Sequence, residues 1–274
     1  MTTIRCAISP DADDLFMFRG ITEALVDTEG LDFRVETADT DALNRMASGD
    51  GADVNALSIA WYPKVAAHYQ LFDHGGSVGR GYGPALVAAK KLQKLEGLRI
   101  GVPGLTTTAH LVMKQVCSFT PVVIPIQPHA RVFEALRSGE VEAAVVIHEG
   151  RLTWAQEGFE LLLDLGQWWN EHTGLPLPLG GNVVRRSLGP ETIAQVDRIV
   201  HRSIAHGLSH RDDAIRWLLA RGGALSTFEQ VDRYLQMYAN ADTLSYGADG
   251  RAAIRRLVHL SGHPADVDFV GGHA

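Results

Sequence analysis

Short apolar runs alternate with amphipathic segments over much of the chain. The continuous apolar stretch at residues 143–147 is typical of a strand buried on both faces. The mainly apolar segments 4–8, 52–57 and 98–102 are also predicted strands, and segments of helical period separate the strands. This alternation predicts an α/β fold with parallel sheets. From residue 190 to about residue 259 the pattern is helical, which predicts a helical C-terminal tail that covers apolar surface elsewhere.

The β-α pattern occurs once before Gly83 and again after it, and this repetition predicts two α/β lobes. We assign residues 1–86 and 182–274 to a large lobe and residues 87–181 to a small lobe. The Leu- and Pro-rich segment 175–181 is not predicted to be a central strand, because proline cannot donate to a sheet ladder. Ligands prefer clefts between such lobes.

Residues 59–69 are predicted to form one helix, in which Pro63 either lies in the first turn or introduces a kink. Residues 160–165 are predicted to be a strand, and residues 182–185 a strand that returns to the first lobe.

One apolar run, residues 143–147, ends directly in a histidine, and Gly150 lets the chain turn soon after. In open α/β sheets ligands bind beyond the carboxyl ends of the strands, so His148 lies where a reacting group is wanted. Histidine is also the side chain whose unperturbed pKa lies nearest neutrality. A catalytic role for His148 competes with a structural one, in which the imidazole only hydrogen-bonds a neighbouring carbonyl.

Composition and charge narrow the classes of function. A formal net charge of −7 and a pI near 5.9 argue against nucleic acid or an anionic membrane as the main partner. Cys6 and Cys117 form no disulfide framework or zinc motif. The first residues show no signal peptide, and no apolar run approaches the length of a membrane span. We therefore expect a cytoplasmic protein that binds a small molecule.

Three predicted strand-to-helix junctions carry hydroxyl or carboxylate side chains. They contain Ser9 with Asp11 and Asp13, then Ser58, and then three threonines at residues 106–108. The N-terminus of a helix offers unpaired N–H groups and the positive end of the helix dipole, which suit a carboxylate or a phosphate. The threonine run is the best candidate because it contains no acid; its alternative role is plain N-capping.

Other chemistries have weaker support. The glycine-rich loop at residues 75–84 does not match G-x-G-x-x-G and precedes a predicted strand, so a dinucleotide site is not indicated. The sequence contains no G-x-S-x-G elbow of a serine hydrolase. His206 and His210 lie four apart on a predicted helix, but no general base stands between them, and we interpret them as surface histidines.

Short motifs spread over nearly the whole chain match one enzyme family. The matching pieces are Ser9-Pro10 with Phe16-Met17-Phe18, residues 40–44, Leu57-Ser58, residues 75–84, 95–99 and 102–104, Thr107-Thr108-Ala109, residues 139–143, Ile147-His148-Glu149 and Asn240-Ala241. The most specific match covers residues 164–169 and 173–180. On these residues the sequence resembles the 1,4-dihydroxy-6-naphthoate synthases, lyases of the futalosine route to menaquinone.

The resemblance implies a type II periplasmic-binding-protein-like fold with the substrate between two α/β lobes. It implies cleavage of cyclic dehypoxanthinyl futalosine into 1,4-dihydroxy-6-naphthoate and dihydroxyacetone, with no metal or organic cofactor. The histidine of the Ile-His-Glu motif is the proton-abstracting base in such enzymes, which falls on His148. The expected substrate-binding residues are Ala56, Leu57, Ser58, Thr107 and Thr108, together with Ser9 and Asp11 of the first turn.

Two departures from the family pattern change the expected charge of the cleft. The family usually has Ser-Pro-Cys-Pro-Asn-Asp where this chain has Asp11, Ala12 and Asp13 after Ser9-Pro10, and a family lysine is replaced by Ala56. Gained acids and a lost base make the cleft more negative. A divergent paralogue for another small carboxylate, a solute-binding protein and a chorismate-dehydratase-like enzyme are therefore the alternatives. The Ile-His-Glu and Leu-Pro-Leu-Pro-Leu-Gly motifs favour the synthase over the dehydratase.

Overall fold

The computed structural model describes residues 2–262 and 266–271. The strands are β1 (Thr3–Ile8), β2 (Asp32–Thr37), β3 (Val54–Ser58), β4 (Tyr69–Leu71), β5 (Ser77–Gly79), β6 (Ala85–Ala88), β7 (Arg99–Val102), β8 (Thr120–Val123), β9 (Ala143–Val146), β10 (Glu160–Asp164) and β11 (Leu177–Arg185).

Helices connect these strands and make up most of the chain after β11. They are α1 (Ala12–Thr22), α2 (Thr40–Ala47), α3 (Tyr62–Val65), α4 (Thr108–Val116), α5 (Ala130–Ser138), α6 (Gly150–Thr153), α7 (Leu165–Thr173), α8 (Pro190–Ser209), α9 (Arg211–Arg221), α10 (Phe228–Tyr238), α11 (Ala241–Leu244) and α12 (Gly247–Leu260). No helix within the described ranges is long and apolar enough to cross a membrane.

The strands form two separate sheets, and each sheet with its helices is called a lobe here. The first lobe has the strand order β2-β1-β3-β11-β4, and β5 pairs with the early part of β11. The second lobe has the order β10-β6-β9-β7-β8. The chain crosses to the second lobe between β5 and β6 and returns through β11, so a cleft lies between the lobes.

Both sheets are mixed, which corrects the expectation of parallel sheets. In the first lobe β1 runs parallel to β2 and β3, but β11 is antiparallel to β3 and β4. In the second lobe β9 is parallel to β7 and antiparallel to β6. The apolar run at β9 is buried along its whole length, as predicted, because strands flank it on both edges and helices cover the sheet.

The expectation that residues 175–181 cannot belong to a central strand is wrong. Leu177–Arg185 is one long strand, and it lies between β3 and β4 in the first sheet. Pro178 is tolerated because β11 pairs with β3 only from Gly180 onward, while a register shift against β5 falls beside the proline. Its missing N–H is therefore not needed by the β3 ladder.

One predicted helix is shorter than expected, and one helix of the structure was not predicted. Residues 59–69 form a 3-10 turn followed by the short α3, and Tyr69 already belongs to strand β4. Pro63 lies in the first turn of α3, which is one of the two predicted placements. Helix α7 was not predicted; it begins where the predicted strand at 160–165 ends, because Asp164 caps it by accepting from the N–H groups of Gly166 and Gln167.

Helix α1 is held against the helical tail by an unusually close contact. A Cβ on Gly20 would lie 2.7 Å from Oγ of Ser203 in α8, and that hydroxyl donates a 2.6 Å hydrogen bond to the carbonyl of Met17. Helix α8 of the C-terminal tail therefore covers the outer face of α1. This agrees with the prediction that the tail covers apolar surface of the preceding part of the chain. This packing holds α1 in place, and Asp13, Asp14 and Met17 of this helix line the cleft.

The proposed division of the chain at residues 86 and 182 stays a prediction. The first boundary falls inside β6, whose residues Ala85–Ala88 all pair within the second sheet. The second boundary falls inside β11, which belongs to the first sheet.

Candidate active site

The cleft between the lobes has a volume of about 780 Å³, including the part open to solvent. Both lobes contribute to its wall, and two tyrosines of α10 close one side. Its lining residues are Ser9, Asp13, Asp14, Met17, Thr40, Leu43, Ala56, Leu57, Ser58, Gly75, Ser77, Pro84, Thr107, Thr108, Ala109, Ile147, His148, Leu179, Gly180, Gly181, Tyr234 and Tyr238. No lysine or arginine of the described ranges is among them.

His148 lies on the cleft wall two residues beyond the end of β9. Its backbone is in the left-handed region, with φ of 49°, which turns the chain sharply after the strand. Nδ1 lies 3.2 Å from Oδ2 of Asp11, and Nε2 lies 3.2 Å from the Thr40 hydroxyl. If Nδ1 donates its proton to Asp11, Nε2 is left with a lone pair on the cleft side, as a general base requires.

Asp11 does not line the cleft; it lies behind His148, with 2% of its surface exposed. Its Oδ2 also accepts a hydrogen bond from the Ser9 hydroxyl. Burial, and then the charge of the neighbouring Asp13, raise the pKa of Asp11 to about 7. Because its oxygen faces the imidazole rather than the cleft, Asp11 is placed to orient His148 and not to bind a ligand directly.

Two more carboxylates stand at the start of α1. Oδ2 of Asp13 accepts a 2.6 Å hydrogen bond from Ser77, and Oδ1 accepts a 3.0 Å hydrogen bond from Tyr234. Oδ2 of Asp14 accepts a 2.6 Å hydrogen bond from the N–H of Ser9. Burial, and then the charge of Asp13, hold the pKa of Asp14 above its ordinary value. This end of the cleft is therefore acidic and rich in hydroxyls.

The opposite end of the cleft is the N-terminus of α4. The Thr107 hydroxyl donates to the carbonyl of Gly104 (2.8 Å) and accepts from the N–H of His110 (3.2 Å), so it caps the helix. The Thr108 hydroxyl donates to the carbonyl of Leu179 at 2.7 Å. Both hydroxyls are thus engaged by the protein, and the groups left for a ligand are backbone N–H groups of the first turn.

Ser58 lies between these two ends, where β3 finishes. Its N–H donates to Oδ1 of Asn44 (2.8 Å), and its hydroxyl accepts from Nδ2 of the same side chain (3.1 Å). Asn44 also donates to the Thr106 hydroxyl at 2.9 Å, which connects the two lobes beside the cleft.

The structure brings most of the sequence-predicted site residues to one cleft: Ser9, Ala56, Leu57, Ser58, Thr107, Thr108 and His148. Asp11 alone lies outside it. The sequence reasoning did not single out Thr40 or Tyr234, which approach the two ring nitrogens of His148. Thr40 belongs to a matched motif, whereas Tyr234 comes from the helical tail, where no local pattern distinguishes it from a core tyrosine.

Comparison with known proteins identifies the family of this chain. The family model described as "Menaquinone biosynthesis" matches residues 4–262. The chain belongs to that family. A 1,4-dihydroxy-6-naphthoate synthase of Thermus thermophilus is 37% identical, over 94% of this chain and 93% of the relative. One of Streptomyces coelicolor is 32% identical, over 93% of this chain and 92% of the relative.

Solved structures confirm the fold expected for this menaquinone-biosynthesis family member. A crystal structure of an Archaeoglobus fulgidus protein has a TM-score of 0.88 and 38% identity, and covers 95% of this chain and 97% of that one. The alkanesulfonate-binding protein of Xanthomonas axonopodis has a TM-score of 0.67 at 13% identity, covering 99% of this chain and 97% of its own. The latter likeness shows the periplasmic-binding-protein fold alone.

Proposed function

We propose that this chain is a carbon–carbon lyase that converts cyclic dehypoxanthinyl futalosine into 1,4-dihydroxy-6-naphthoate and dihydroxyacetone. The observation that carries the proposal is the arrangement around His148. One ring nitrogen lies against buried Asp11, and the other lies on the wall of a cleft large enough for a small organic acid. The two curated relatives are named as synthases of 1,4-dihydroxy-6-naphthoate, which is the product of the proposed reaction.

In the proposed reaction His148 removes the proton of a substrate hydroxyl next to the carbon–carbon bond that breaks. The oxygen electrons form the carbonyl of the departing three-carbon fragment, and the bond electrons stay on the ring system. Formation of the aromatic ring drives the step, and the abstracted proton balances the charge on the product. Asp11 would hold the Nδ1 proton of His148, so that Nε2 faces the substrate.

The substrate carboxylate is proposed to lie at the N-terminus of α4, near Thr107 and Thr108. No lysine or arginine of the described ranges lines the cleft, so helix-end N–H groups are the strongest anion-binding feature there. The hydroxyl-bearing fragment then reaches toward His148 and the acidic end at Asp13. Ala56, Leu57 and Ser58 line the wall between the two ends.

The assignment of the base is tested with His148→Asn. Asparagine tolerates the left-handed backbone that His148 adopts, so the fold is expected to persist. Turnover of cyclic dehypoxanthinyl futalosine, followed by the absorbance of the naphthoate, should fall by about 10²–10⁴-fold, because one general base is lost. Affinity for the product, measured by calorimetry, should change little.

His68→Asn is the matched control, since His68 is exposed on the protein surface. It should keep the turnover of the unaltered protein. Full turnover by His148→Asn would reject the base assignment. Product binding without any turnover by the unaltered protein would instead favour a solute-binding role.

A second candidate is a divergent member that acts on another small carboxylate. The acidic lining at Asp13 and Asp14 supports it, because these charges oppose an anionic substrate at that end. Incubation with cyclic dehypoxanthinyl futalosine separates the two candidates: formation of the naphthoate supports the synthase, and its absence with a folded, ligand-free protein supports the divergent member.

A further inference from the structure

Three potential metal ligands meet behind His148, away from the substrate cleft. They are Asp11 in the turn before α1, His129 at the start of α5, and Glu149 directly after His148. One ligand atom of each lies within 4.8 Å of those of the other two. None of the three lines the cleft, so this cluster is separate from the surface that the substrate would touch.

Each carboxylate in this cluster has one oxygen that the protein does not satisfy. Asp11 is 2% exposed and Glu149 is 6% exposed. Oδ2 of Asp11 accepts from Ser9, and Oε1 of Glu149 accepts from the N–H of Ala12 at 3.3 Å. Their other oxygens, Oδ1 and Oε2, have no hydrogen-bond partner among the described residues. Buried carboxylate oxygens are normally paired or bound to a metal.

His129 directs one ring nitrogen toward these oxygens, an arrangement that suits a bound cation. Nε2 of His129 lies 3.4 Å from Oε2 of Glu149 and 3.0 Å from the amide nitrogen of Gln127. If the amide donates to Nε2, the ring presents a lone pair and no proton on that nitrogen. The lone pairs of His129 Nε2 and Glu149 Oε2 then face each other and repel. A cation bound between the two atoms would replace this repulsion with two metal–ligand bonds.

No lysine or arginine of the described part of the chain neutralises the two carboxylates. Within residues 2–262 and 266–271, the ion pairs of Asp11 and Glu149 are with His148 and His129, and none is with lysine or arginine. One imidazole and two carboxylates are a donor set that suits a first-row divalent ion such as zinc, with water in the remaining position.

We propose that Asp11, His129 and Glu149 form a binding site for a divalent transition-metal ion of the Zn²⁺ class. The site joins the two lobes, because Asp11 belongs to the first lobe and the other two residues belong to the second. It also holds Asp11 in place, and Asp11 contacts His148. The ion is a structural brace beneath the imidazole and takes no part in the bond cleavage.

The site is tested on the full chain after removal of metals with a chelator. Calorimetry with zinc sulfate should show one Zn²⁺ bound per chain, and mass spectrometry of the dialysed protein should give the same ratio. His129→Ala should weaken the binding by more than the 10–100-fold that is typical of residues outside the ligand shell. Zn²⁺ should also raise the melting temperature of the unaltered protein, but not that of His129→Ala.

His68→Ala serves as the matched control, because His68 is an exposed histidine remote from these ligands in sequence and should leave the binding unchanged. Glu149→Gln provides a second variant, should His129→Ala fail to fold. Absence of stoichiometric binding, or equal binding by the unaltered protein and both variants, would overturn the proposal; the two carboxyls would then share a proton. None of these readouts depends on turnover, so the proposed reaction and the metal site can fail separately.

Discussion

At the scale of single residues, the site consists of polar side chains that the protein holds by buried hydrogen bonds. Asp13 shows the principle: both of its oxygens are fixed, one by Ser77 and the other by Tyr234. Tyr234 in turn lies 3.5 Å from Nδ1 of His148. The hydroxyl of this tyrosine, which belongs to the helical tail, therefore lies between the Asp13 carboxylate and the histidine, and it contributes to stability through a charge-assisted bond to Asp13.

We predict that Tyr234→Phe destabilises the protein and that Tyr246→Phe does not. Tyr234→Phe should lower the free energy of unfolding by about 1.5–3 kcal/mol, because a buried hydrogen bond to a carboxylate is lost. Tyr246 is equally buried, but its hydroxyl has no hydrogen-bond partner among the described residues. Its removal should therefore be neutral or stabilising. Urea denaturation of both variants measures the difference, and equal losses would contradict this account.

The sequence allowed part of this residue-scale picture to be predicted. His148 could be singled out because it ends an apolar strand, and Ser58 and Thr107 because they end strands or begin helices. The role of Asp11 could not be predicted, since facing the cleft or facing the histidine depends on the turn geometry. Tyr234 lies 86 residues from His148 in sequence, and only tertiary packing brings the two together.

At the scale of elements, the most specific sequence motif has a structural explanation. Asp164 caps α7 through the N–H groups of Gly166 and Gln167 and also receives Arg151 at 2.5 Å. A Cβ on Gly166 would lie 1.9 Å from the carbonyl oxygen of Tyr82, so only glycine fits there. Nε1 of Trp169 donates to the carbonyl of Pro176 at 2.9 Å. The motif thus connects α7 with β11.

The same motif shows why the sequence misled us about β11. Proline and glycine in residues 175–181 argue against a strand when each residue is considered alone. In the structure β11 has different partners along its length, so the proline meets a place where a ladder bond is not needed. Strand pairing of this kind depends on distant residues, and local pattern does not reveal it.

The N-terminus of α4 is both a capped helix end and the proposed carboxylate site, and a comparison with another capped helix distinguishes the two roles. Thr107→Ala and Thr227→Ala each remove an N-cap hydroxyl, from α4 and α10 respectively, and each should cost about 1 kcal/mol of stability. Of the two capped helix ends, only that of α4 lines the cleft. Loss of the Thr107 cap loosens the first turn whose backbone N–H groups are proposed to bind the carboxylate, so only Thr107→Ala should weaken binding of the naphthoate product. Denaturation and calorimetry measure the two effects. Equal affinities for both variants would contradict a carboxylate site at α4.

At the scale of the whole molecule, side-chain bonds connect the lobes beside the cleft. Asp41 and Asn44 lie on α2 of the first lobe, and Thr106 lies before α4 of the second. The Thr106 hydroxyl donates to Oδ1 of Asp41 at 2.6 Å and accepts from Asn44 at 2.9 Å. The conformation described here is therefore one in which the lobes are in contact. Periplasmic-binding-protein folds enclose a ligand by such closure of domains.

The charge of Asp41 makes this connection sensitive to acid. Burial raises the pKa of Asp41, but hydrogen bonds from Thr106 and Arg45 outweigh it and hold the pKa below its ordinary value of 3.8. A carboxyl with a lowered folded-state pKa stabilises the protein above its unfolded pKa, and that stability is lost as the pH falls through the folded pKa. The stability difference between the unaltered protein and Asp41→Asn should therefore shrink below pH 3.8. Urea unfolding across this range measures it; a difference that grows in acid would contradict the assignment.

The Thr106 hydroxyl is predicted to help hold the two lobes in contact. Thr106→Val keeps the shape of the side chain but removes the hydroxyl, whereas Thr106→Ser keeps the hydroxyl. Loss of a bond to the Asp41 carboxylate disfavours contact between the lobes by about 1.5 kcal/mol or more, which corresponds to roughly tenfold weaker product binding. The free Thr106→Val protein should show a larger radius of gyration by X-ray scattering, and saturating product should restore the smaller value. Because serine retains both bonds, Thr106→Ser should resemble the unaltered protein. If Thr106→Val also kept the radius of gyration and the product affinity of the unaltered protein, the contact at Thr106 would have no part in holding the lobes together. Closure would then depend on the ligand and on the other contacts of α4.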